Sequence, residues 1–162
     1  MAHVELSLSE PISGSLDPDP TGPGDPYLGD LRSTPFNAVD RWSAATREAN
    51  EPCLVIDSMA AIAAVSRNAC SLLGFPGPEE VIGRFLYSNE LLALVDFTPA
   101  SAALSDADME KIPPMLALHS GRLARGLMRV RSGADVITMD AVATPLWEHN
   151  KVIGSLAFFS LV

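Results

Sequence analysis

The sequence predicts an α+β fold: a five-stranded antiparallel sheet whose chain is interrupted by short helices packed on one face. Three observations point there. A chain of 162 residues with 48% hydrophobic content supplies one ordinary core and is too short for two. Two short apolar runs at 53–57 and 61–66 stand at hairpin spacing, and beyond 123 apolar residues alternate with a period of two, with helical spacing between. The last run, VIGSLAFFSLV at 152–162, is apolar on both faces, as in a central or covered strand.

Residues 1–35 read as a mobile leader. Six of the thirteen prolines fall within 10–35, and Glu5, Glu10, Asp17, Asp19, Asp25 and Asp30 stand against Arg32 alone. Such a segment buries too little surface to offset its ordering entropy. Order is expected from 36–50, as an amphipathic cap helix with Thr34 as N-cap and Pro35 at the first helical position. Phe36, Val39, Trp42, Ala45 and Ala49 form its apolar stripe. Packing on its own domain and dimerisation are both open to it, with Phe36, Val39 and Trp42 as interface candidates.

The main domain is expected over 51–162. CLVID (53–57) and AIAAVS (61–66) are spaced as a hairpin. RNACSLLGF reads as a short helix stopped by Gly74 in a left-handed conformation, and PGPEEVIGR as a turn plus one helical turn closed by Gly83. SNELLALVD predicts another helix capped by Ser88 or Asn89, and Asp106 or Asp108 is placed to cap one from Met109. Pro113 and Pro114 must kink or restart that helix, since neither has a backbone N–H. LARGLMRVR (123–131) puts Arg125, Leu127, Arg129 and Arg131 on one strand face, and VITMDAVATPLW (136–147) alternates likewise.

A net charge of −9 argues against nucleic acid or an anionic membrane as partner of this segment. No run approaches the ~18 apolar residues of a membrane-spanning helix, and no basic-then-apolar secretory leader opens the chain, so a cytoplasmic address is expected. Cys53 and Cys70 read as small core residues. Phosphate loops, the Gly-x-Ser-x-Gly motif and zinc spacings do not occur in the sequence, which leaves an enzymatic reading unsupported.

In order, PCLVIDSMAAIAAVSRNACSLLGF, EEVIGRFL, SGRLARGLMRVRSGADVITMDAVATPL and NKVIGSLAFFSLV resemble the successive pieces of a PAS domain, the sensory module of many bacterial signalling proteins. The resemblance spans about 51–162, and the helix before it resembles the family's N-terminal cap, which often mediates dimers. The first turn departs from the pattern, with Ser58-Met59-Ala60 where many members have an Asp-Gly-like pair.

The resemblance implies haem, flavin, a small metabolite, an ion or nothing in the core. Cysteine-adduct flavin chemistry is disfavoured, because GRFLYSNELL carries no cysteine at the corresponding place. Haem would take His119 as axial ligand, set among Leu116, Leu118 and Leu123; the bland alternative is a solvated histidine in the last helical turn. A small organic ligand would lie between sheet and helices, lined by Ile56, Leu73, Leu94, Met115, Leu118, Met128, Met139 and Phe158, unless these simply fill the core. The expected function is a non-catalytic sensory domain of a cytoplasmic signalling or transcription-regulating protein. The alternatives are a ligand-free homodimer through the 36–50 helix and outer sheet face, and a haem-based gas sensor.

Overall fold

A computed structural model describes residues 36–88 and 90–162. The expected leader at 1–35, the Thr34–Pro35 cap and Asn89 lie outside the described residues. Five helices and five strands follow in the order α1 (Ala38–Glu48), β1 (Cys53–Asp57), β2 (Ile62–Val65), α2 (Arg67–Leu73), α3 (Pro78–Val81), α4 (Asp106–Met109), α5 (Pro113–Ser120), β3 (Ala124–Ser132), β4 (Asp135–Glu148) and β5 (Lys151–Leu161). The strands form one sheet, ordered β2-β1-β5-β4-β3, with every neighbouring pair antiparallel. β5 is therefore central, as its two apolar faces require, and Cys53 to Asp57 pair with Phe158 to Gly154.

The inner face carries the main core. Leu54, Ile56, Met128, Val130, Met139, Ala141 and Phe159 pack there against Leu73, Met109, Met115 and Leu118 from the helices. The outer face carries a smaller cluster in which Cys53, Val55, Ala64, Leu146 and Leu156 meet Ala38 and Val39 of α1. Phe158 pairs with Cys53 and Val142 and so belongs to the outer face, 43% exposed; it does not line the interior, where its neighbour Phe159 sits instead.

α1 begins at Ala38, three residues after the expected first helical position. Asn37 is the cap: its side chain accepts from Asp40 N at 2.9 Å, and Asp40 returns the bond to Asn37 N at 3.3 Å. Glu148 accepts a further bond from Ala38 N at 3.1 Å, tying the helix start to β4. The buried seam is Val39, Ser43 and Thr46, spaced four and three, and not the expected stripe. Trp42 is 45% and Phe36 67% exposed. Gly154 explains the choice: a Cβ there would lie 2.7 Å from Val39 Cγ2, so small side chains meet where helix and sheet come closest.

Two middle elements also differ. Leu91 N and Leu92 N donate to Ser88 O, and residues 93–95 then run extended, bridging Leu94 to Val130 and Val95 to Ala103, in place of the expected helix. This covers part of the free edge of β3: Val95 N donates to Arg129 O, and Arg131 N to Ala93 O. Met109 ends α4 rather than starting it, because Ser105 is the cap. The helix restarts as α5 with Pro113 and Pro114 in its first turn, where a missing N–H costs nothing.

Candidate functional site

A cleft of about 690 Å³ opens on the helical side of the molecule, between the β1–β2 turn, the 85–88 segment, α4 and α5. The turn builds one wall. Asp57 Oδ1 accepts from Met59 N at 2.8 Å and Ala61 N at 3.0 Å, which holds Ala60 at φ 61°, a left-handed conformation that side chains other than glycine seldom adopt. The result places Ala60 in the core and leaves Met59 68% exposed at the mouth.

The second wall is stitched to that turn. Leu86 N donates to Ala60 O at 3.0 Å, Ile62 N donates to Arg84 O at 2.9 Å, and Phe85 bridges Ala61. Phe85 and Tyr87 then stack, ring centroids 5.6 Å apart, and both stay nearly half exposed on the rim. The floor is apolar and buried: Met109 from α4, Met115 and Leu118 from α5. Asp106, Glu110 and His119 complete the rim, together with Ser58 and Ser88.

Of the residues expected to line a ligand site, Met115 and Leu118 do line this cleft, and His119 borders it. Ile56, Leu73, Leu94, Met128 and Met139 are packed in the main core, each 4% exposed or less. Sequence reasoning missed Met59, Phe85, Tyr87, Asp106, Met109 and Glu110. The anomalous first turn was the available signal, since a methionine and an alanine replace the small polar pair usual there.

The residues do not fit haem bound by His119. His119 is exposed on the rim, and the interior behind it is closed by Met115, Leu118, Met128 and Met139. Within the cleft, the propionates would meet the carboxylates of Asp106 and Glu110 with no arginine or lysine in the lining.

The cysteines stand apart from the cleft. Cys53 lies under α1 and Cys70 in α2, and burial pushes both thiols up from their usual range, away from the reactive thiolate. The arginine stripe of β3 is engaged at home. Arg125 forks onto Asp140 across the β3–β4 pair, Arg129 Nη1 donates to Asp96 O at 2.8 Å, and Arg131 Nη2 to Ser101 O at 2.8 Å. Among the described residues no group of three metal-binding side chains occurs, and no helix is long and apolar enough to cross a membrane.

A hairpin, a run of short helices and three further strands, closing with the last strand in the sheet centre, make up the PAS-domain fold. Solved structures bear this out. The PAS domain of a Colwellia psychrerythraea protein is 15% identical with a TM-score of 0.53, covering 76% of this chain and 96% of that one. The Rhodobacter sphaeroides LOV protein is 11% identical with a TM-score of 0.51, over 74% of this chain and 64% of that one. VqmA of Vibrio cholerae, a LuxR-type receptor solved as a dimer, is 14% identical with a TM-score of 0.54, over 75% of this chain and 50% of that one. At these identities the likeness is one of fold. No family model matches the sequence, and no curated protein matches it.

Proposed function

We propose that this chain is a non-catalytic sensory domain of a cytoplasmic signalling or transcription-regulating protein, and that the cleft against α4 and α5 takes its small organic ligand. The observation that carries the reading is the cleft: a buried apolar floor under a rim of aromatic and polar side chains, the usual build of a ligand site. A receptor with this fold, VqmA, has been solved bound to DPO, so the architecture is compatible with small-molecule reception. Binding would favour one packing of α4–α5 on the sheet, shifting a population already present.

The test is native mass spectrometry of the full chain purified from its own host, alongside Ser58→Trp, which fills the mouth from an exposed turn. A retained small molecule that the variant loses, at unchanged melting temperature, is expected. Bare polypeptide in both, with no thermal stabilisation by host metabolite extracts, overturns the reading.

A second reading, a ligand-free homodimer, has one observation in its favour. Phe158 and Leu127 are exposed on the part of the outer face that α1 leaves open, and Trp42 and Phe36 are exposed on and before α1. Val39 is not available to such a contact, because it is already packed on the sheet. Sedimentation of Phe158→Glu, expected to dissociate the dimer, decides it.

A further inference from the structure

Resting on the cleft as the ligand site, we propose that its ligand is a small organic cation: a primary or secondary ammonium carrying an apolar or aromatic body of about one ring. Three features of the lining converge on this class. The ionisable groups of the cleft are Asp106, Glu110, Tyr87 and His119, so two carboxylates stand there with His119 as the one side chain able to carry a positive charge. The carboxylates lie four residues apart, on one side of the α4 turn, and so address the same end of the cleft. Phe85 and Tyr87, stacked in the same lining, present half-exposed ring surface, which attracts a cation and an aromatic body alike.

The floor sets the other half of the molecule. Met109, Met115 and Leu118 offer no hydrogen-bonding group, and methionine adapts to varied apolar shapes. A ligand polar throughout would strand its groups there. An anion would meet the carboxylates within a chain already at −9.

The methionines supply the assay. With methyl-13C methionine in the full chain, Met59, Met109 and Met115 report on the cleft lining, while Met128 and Met139 report on the core behind its floor. Three probes that share a 2-phenylethyl body are titrated: 2-phenylethylammonium, 2-phenylethanol and 3-phenylpropionate. The ammonium is expected to shift the three cleft methyls more than Met128 and Met139, and to bind at least tenfold more tightly than the alcohol, with no shift by the carboxylate. The Asp106→Asn/Glu110→Gln double variant is expected to erase that preference and keep the alcohol's affinity. Equal or tighter binding of the alcohol or the carboxylate overturns the cation assignment and leaves the cleft standing as a ligand site. Silence of all three cleft methyls at millimolar concentrations of every probe overturns both.

Discussion

The Ser66 hydroxyl serves three partners with no exposure to water. It accepts from Cys53 N at 3.1 Å and Ala69 N at 3.2 Å and donates to Glu51 O at 2.8 Å, so one oxygen caps α2 and closes the entry to β1. Ser66→Ala leaves buried N–H groups unpaired, and denaturant unfolding is expected to show a loss of about 2 kcal/mol. Gly154 is constrained from the other direction. A Cβ there would run into Ile56 O, a backbone atom that moves only if the β1–β5 pair shifts. Gly154→Ala is expected to cost about 2–3 kcal/mol by overpacking, read as a lower melting temperature. Arg125 beside Asp140 holds that carboxyl below its ordinary range, through the hydrogen bond first and then the charge. A lowered folded-state value means stabilisation present above the unfolded carboxyl's titration and lost as pH falls through the folded one. Asp140→Asn is therefore expected to be less stable than the parent at pH 7, with the difference fading as the pH drops below about 4, the ordinary aspartate range.

Elements differ in how firmly they are held. α1 packs through a cluster of its own, separate from the main core, and Ser43 Oγ is buried in its seam without a hydrogen-bond partner. Its attachment depends on the Asn37 capping box and the Glu148 contact. Asn37→Ala is expected to cost α1 about 1 kcal/mol, seen as roughly fivefold faster amide exchange in 41–48 with β1, β4 and β5 unchanged. The same seam marks where sequence reading stops. Unbroken apolar runs placed β1 and β5 nearly to the residue, and alternation did the same for β3 and β4, where successive side chains face opposite sides of the sheet. Neither pattern could reveal that α1 would turn Ser43 and Thr46 inward and Trp42 outward, since that depends on how closely Gly154 lets two backbones approach. Nor does periodicity distinguish Phe158 from Phe159, where a one-residue choice of register decides the face. In 91–95 the free edge of β3 overrode a helical pattern. The cleft was only partly legible, because its rim draws on four separate segments that meet only after folding.

At the scale of the whole molecule, the sheet consists of two hairpins, β1–β2 and β3–β4, with β5 between them. β5 pairs with both β1 and β4, and no other strand pair links the two sides. A chain ending at residue 150 retains nearly every core side chain outside β5, yet has no hydrogen-bonded bridge across the sheet. It is expected to lose cooperative thermal unfolding and to bind hydrophobic dyes, as collapsed chains without fixed packing do.

That strand order also dictates when a growing chain can fold. Synthesis proceeds at about 5–20 residues per second, so β5 emerges about one to two seconds after β4, and in that interval the facing edges of β1 and β4 are bare. Those edges are templates for wrong pairing until β5 emerges and fills the gap between them.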